Sequence, residues 1–137
     1  MLLLDTSGLL SALFPDQRRH RACGDALRAA TPPLVLSPFV LAELDYLVAK
    51  YAGIEAELEL LAEVAREAYL LAEFSAADVE EARGVLEEFR DLSLGLADAS
   101  LVVLSRRFRT VEVLTLDERH FRALRGAQER PFHLLPA

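Results

Sequence analysis

The sequence has one cysteine, one lysine, no asparagine and no long apolar run. The lone Cys23 excludes a disulfide within the chain and suits a reducing cytoplasm, where such bonds are rare. No apolar stretch approaches the roughly 20 residues that span a bilayer, so no membrane role is expected. The apolar start MLLLDTSGLLSALFPD carries Asp5 and lacks a basic leading region and a small-residue cleavage site. It reads as a buried strand and a helix, not a secretory signal. A GxxxxGK[ST] phosphate loop is missing, which disfavours P-loop nucleotide chemistry. Positive charge is also scarce. The formal net charge is −7, against a general nucleic-acid binder with its basic face. It does not exclude an enzyme that cuts nucleic acid, because a cation bound among carboxylates reverses the local sign. Apart from Lys50, the Lys/Arg complement is all arginine, which pairs well with phosphate and carboxylate. The missing asparagine fits either GC-rich coding or a hot habitat.

What is present points to one well-packed domain. The 137 residues fit a single domain over 1–137, long enough to bury a sizeable core. The hydrophobic fraction is 53%, above the usual range, with Leu and Ala dominant. Buried helices follow from that, as does surface for self-association or for a constant partner.

Short apolar runs alternate with amphipathic stretches. Strands are predicted at 2–4, 34–36, 69–74, 111–115 and 132–135. Helices are predicted at 7–13, at 17–29 behind an Asp16 cap, and from Pro38 to about Tyr51 behind Ser37. Gly53 ends that helix. Further helices cover 54–67, then Ser75 to about Phe89 with Asp78 as the box partner, then 97–107 and 117–124. A loop is expected at 91–96. Alternating strands and helices imply an α/β fold: three layers, α/β/α, around a mainly parallel five-stranded sheet. In such sheets the ligand site lies beyond the carboxyl ends of the strands, where strand order reverses.

Acids recur at those ends. Asp5 directly follows an apolar strand, and Asp117 lies two residues past Thr115 at the close of another. Asp98 sits in the first turn of an apolar helix. Glu43, one and a half turns into its helix, has the apolar neighbours Ala42 and Leu44, which suggest that it is held close to the core. Four converging carboxylates would repel one another, and Mg²⁺ or Mn²⁺ would resolve the conflict. Such an ion activates water and polarises a phosphodiester. Each acid also has an ordinary reading. Asp5, Asp98 and Asp117 could be helix caps or dipole partners, and Glu43 a solvated helix residue. The pattern alone leaves both open.

The segments LLLDTSGLL, SPFVLAEL, DLSLGLADASLV and LTLDERHF, in that order, resemble the PIN domain, and most of all the VapC-type toxins of prokaryotic toxin–antitoxin pairs. The resemblance covers nearly the whole chain. It implies a central parallel sheet and an endoribonuclease that uses Mg²⁺ or Mn²⁺. It implies that Asp5, Glu43, Asp98 and Asp117 are the catalytic and metal-binding acids, with Asp5 and Asp98 the most direct ligands. Around them, Thr6 matches the hydroxyl residue after the first acid, Thr115 a hydroxyl residue that orients carboxylates or water, and Asp91 an acid that precedes the third motif. It further implies an RNA substrate, a cognate antitoxin and a homodimer.

Arg119, next to Asp117, is the arginine expected to meet substrate; the clusters Arg18–Arg21 and Arg106–Arg109 read as solvated surface. His20, His120 and His133 are not spaced as a zinc site, and Cys23 reads as a packed helix residue. Two other functions compete. A phosphatase of the haloacid-dehalogenase type needs a second Asp two residues after the first, where this chain has Ser7. A catalytically silent module of the same fold, acting with an antitoxin as a co-repressor, would have to retain four acids at a cost.

Overall fold

Leu2, Leu3 and Leu4 point alternately to both faces of a strand and need cover on both sides. In the computed structural model, which describes residues 1–137, they form β1 (Leu2–Leu4) and are all buried. β1 pairs with β2 (Leu34–Leu36) on one side and β4 (Glu112–Leu114) on the other. β3 (Leu70–Leu71) extends the sheet beyond β2, and β5 (His133–Leu135) beyond β4. The order is β3-β2-β1-β4-β5, and every pair is parallel. Near-continuous apolar strands are what a sheet covered on both faces requires.

Parallel neighbours need crossovers. α1 (Thr6–Leu13) and α2 (His20–Ala29) join β1 to β2, and α3 (Pro38–Ala52) and α4 (Ile54–Ala65) join β2 to β3. α5 (Ala76–Glu88) and α6 (Leu96–Phe108) lead to β4, and α7 (Glu118–Ala123) precedes β5. The first two crossovers run one way along the sheet and the last two run the other way. Right-handed connections therefore lay α1–α4 over one face and α5–α7 over the other. This is the three-layer architecture the sequence predicts, with the sheet wholly parallel.

Several expected boundaries move. The helix expected at 17–29 begins only at His20. Arg19 sits in the left-handed region at φ 57°, so residues 16–19 form turns and Asp16 caps nothing. The strand expected at 69–74 shrinks to Leu70–Leu71, a short edge with Tyr69 and Ala72 buried on either side. The loop at 91–96 opens with a 3-10 turn, Arg90–Leu92. The caps hold where they matter. Ser37 Oγ accepts from the Phe39 N–H at 3.1 Å. Ser75 and Asp78 exchange bonds at 3.2 and 2.8 Å.

Two features bear on partners. Tyr46, Tyr51, Ile54, Leu58 and Leu61 are exposed on α3 and α4. No helix is long and apolar enough to cross a membrane. Cys23 is fully buried, and burial pushes its thiol pKa up, away from nucleophilic use.

Candidate metal centre

Strand order reverses between β1 and β4, so their carboxyl ends open the crevice where this fold binds ligands. Asp5 leaves β1 there. It occupies the cap position of α1, yet its side chain makes no cap hydrogen bond. Its Oδ2 instead accepts from Thr115 Oγ1 at 2.6 Å and from Ser7 Oγ at 2.9 Å. Those hydroxyls are fixed in turn: Ser7 accepts from the Leu116 N–H and Thr115 from the Asp117 N–H, both at 2.9 Å. The carboxylate is locked between two strand ends. It is only 5% exposed, and desolvation raises its pKa to about 6. The two hydroxyls oppose that rise and the negative charge of Asp98 adds to it.

Asp98 stands in the first turn of α6 and accepts the Gly95 N–H at 3.3 Å. Its pKa is also raised, first by burial and then by the charges of Asp117 and Glu43, while Gly95 and His120 pull it down. Asp117 begins α7. Its Oδ1 accepts the His120 N–H at 3.1 Å, and its Oδ2 lies 2.7 Å from His120 Nδ1. Nδ1 is 3.9 Å from Asp98 Oδ2. One donor atom each from Asp98, Asp117 and His120 lies within 4.8 Å of the others.

Glu43 enters from α3, where Thr6 Oγ1 donates to its Oε1 at 2.7 Å. The expectation that Glu43 sits close to the core fails: Ala42 and Glu43 are exposed and Leu44 is buried. The buried stripe of α3 is Val40, Leu44 and Val48. Position 43 is beside that stripe, so the side chain reaches the crevice from its rim. α3 and α6 are registered by a buried bond between Ser37 Oγ and Ser100 Oγ at 2.7 Å. Ser100 donates onward to the Ala97 carbonyl at 2.6 Å, so Ser37 is the donor between the two hydroxyls.

Asp98 thus feels the charges of Glu43 and Asp117 and acts in turn on Asp5, and Thr6 and Thr115 hold Glu43 and Asp5. Of the four predicted acids only Asp98 and Asp117 join a group of three donor atoms within 4.8 Å of one another, with His120 as the third. Asp91 is in the Arg90–Leu92 turn, exposed and bonded to none of them. Arg119 is exposed and points to no acid partner. Arg18, read from sequence as solvated surface, lines a cleft with Ser7 and Asp117. From sequence, Ser7, His120, Ser37 and Ser100 had no role at this site. His120 alone had a signal there, since position 120 follows Asp117 by three in a short helix and so shares its face.

No arginine or lysine ion-pairs with Asp5, Glu43, Asp98 or Asp117; the imidazole of His120 lies against Asp117 and Asp98. An oxygen-rich set with uncompensated charge suits a hard divalent cation.

A family model described as PIN domain matches residues 2–127. The chain is 42% identical over 135 residues to Ribonuclease VapC26 of Mycobacterium tuberculosis, spanning 98% of this chain and 100% of that one. The fold is similar to that of Mycobacterium tuberculosis VapC20, described as a sarcin–ricin loop cleaving toxin. That match has a TM-score of 0.79 at 19% identity and covers 85% of this chain and 90% of the other. A chain in a toxin–antitoxin complex from Klebsiella pneumoniae matches with a TM-score of 0.69 at 23% identity, covering 93% and 95%. At those identities the two solved structures speak to the fold alone.

Proposed function

We propose that this chain, which belongs to the PIN domain family, is a metal-dependent endoribonuclease and the toxin of a toxin–antitoxin pair. Likeness to a named ribonuclease along the full length supports the activity. The observation that carries the reading is that the charges of Glu43 and Asp117 act on Asp98, and that of Asp98 on Asp5, at the switch point, with no arginine or lysine ion-paired to any of them.

In this reading Asp5 and Asp98 would hold the cation directly, joined by Asp117. Mg²⁺ or Mn²⁺ bound there would supply an acidified water and screen charge developing on the phosphodiester. The chain's own residues do the rest. Thr115 and Ser7 keep the Asp5 carboxylate charged and aimed against the desolvation that would protonate it. Thr6 holds Glu43 by Oε1, which leaves Oε2 to take a proton from the attacking water. Arg18, which lines a cleft together with Asp117, meets a phosphate of RNA, and Arg119 contributes charge farther out.

The apolar side chains exposed on α3 and α4 offer area for the two protein partners the reading requires, an antitoxin and a second copy of the chain. The same reading places the protein in the cytoplasm with its RNA.

The test is a digest of structured RNA by the wild type, by Asp98→Asn, and by the wild type in EDTA. Cleavage by the first alone, restored by Mn²⁺ or Mg²⁺, is expected. Equal absence of cleavage in all three would favour the silent co-repressor module.

A further inference from the structure

His120 is held by both ring nitrogens. Nε2 lies 2.9 Å from the Leu92 carbonyl oxygen. A carbonyl has no proton to give, so Nε2–H is the donor and the tautomer is fixed. Nδ1 then faces the acids, 2.7 Å from Asp117 Oδ2 and 3.9 Å from Asp98 Oδ2. A carboxylate only accepts. At 2.7 Å the contact is a hydrogen bond that needs a proton on one of the two groups; a cation bound by both would displace that proton and sit beside the line joining them.

A ring N–H on a backbone carbonyl, with the other nitrogen turned to a cation, is how proteins hold ligating histidines. Here the carbonyl belongs to the turn just before α6, which carries Asp98. The histidine sits one turn from Asp117 in α7. One side chain thus ties together the two segments that supply those acids. It is 19% exposed, so its aim is set by packing.

Resting on the metal-site reading above, we infer that His120 is a direct nitrogen ligand of the cation, oriented by the Leu92 carbonyl. A nitrogen among oxygens disfavours Mg²⁺, which prefers an all-oxygen shell, and admits first-row transition ions such as Mn²⁺. His120 therefore sets the metal preference of the site. The other histidines stand elsewhere: His20 Nδ1 on the Ser11 carbonyl at 2.8 Å, and His133 on Glu112 at 2.7 Å, 58% exposed.

The test is pulsed electron paramagnetic resonance on the full chain loaded with Mn²⁺, reading nuclear modulation from nitrogen. Wild type should show an imidazole ¹⁴N coupling that becomes ¹⁵N in protein made with ¹⁵N-histidine. His120→Gln should abolish it and His133→Gln should keep it. By calorimetry, His120→Gln should weaken Mn²⁺ on the order of tenfold and Mg²⁺ by less. Bound Mn²⁺ with no nitrogen coupling in wild type, or a coupling that survives His120→Gln, overturns the ligand role and leaves the acid site standing. Failure of wild type to bind Mn²⁺ overturns both. The isotope comparison needs no variant, so it decides even if His120→Gln does not fold.

Discussion

Thr115 Oγ1 donates to Asp5 Oδ2 at 2.6 Å, a contact across 110 positions that draws the carboxyl ends of β1 and β4 onto one carboxylate. Burial makes that carboxylate costly, and the hydroxyl offsets part of the cost.

Thr115→Val keeps the shape and removes the donor. The Asp5 pKa should rise further, and the Asp117 N–H loses its acceptor. Mn²⁺ affinity by calorimetry should fall on the order of tenfold, and denaturant melts should show a loss of about 1–2 kcal/mol. Unchanged affinity would mean that Thr115 does not act through Asp5.

Asp5→Asn tests the charge itself. The pKa is 3.8 for an ordinary Asp and about 6 in the folded chain. The native state therefore binds the extra proton between those values, and stability falls as pH rises through that window. The deficit is fully present above it, on the order of 3 kcal/mol at neutral pH. Without metal, Asp5→Asn should be more stable than wild type at pH 7 and equal to it near pH 4. With Mn²⁺ the order should reverse, because only wild type gains from the ion. For wild type, Mn²⁺ binding should weaken as pH drops below about 6, where protons compete for Asp5.

Arg18→Ala should raise KM for RNA several-fold and flatten its dependence on salt, since Arg18 lines the cleft beside Asp117. Arg119→Ala should do less. A larger effect from Arg119 would restore the preference that sequence proximity to Asp117 suggests.

The sequence reveals the acids because strand ends are marked by abrupt changes from apolar to charged residues, as at Asp5 and in the TLD that ends in Asp117. Glu43 is misjudged for burial because neighbours in sequence are not neighbours on a helix; Leu44 faces the core while 43 does not. Asp16 has the composition of a cap, but a left-handed Arg19 delays the helix. Ser7–Leu116 and Ser37–Ser100 are bonds across 109 and 63 positions, and no local pattern encodes such pairs. His120 is overlooked because the three histidines are weighed as a set, whereas its partners are carboxylates and a carbonyl.

Gly8 is where α1 meets the sheet. A Cβ there would stand 2.5 Å from the Leu114 carbonyl oxygen, a backbone atom that cannot give way. Gly8→Ala should therefore lift α1 and shift Asp5 with it. A cost of about 1–3 kcal/mol in denaturant melts, together with weaker Mn²⁺ binding, is expected. A variant as stable as wild type would show that α1 is not in contact with β4.

The most direct measurement is a crystal grown with MnCl₂, with anomalous differences collected at the manganese edge. One strong peak within bonding distance of Asp5, Asp98 and Asp117 oxygens and of His120 Nδ1 is predicted, with Glu43 facing it. Ordered side chains with their oxygens turned apart and no peak among them would contradict the account.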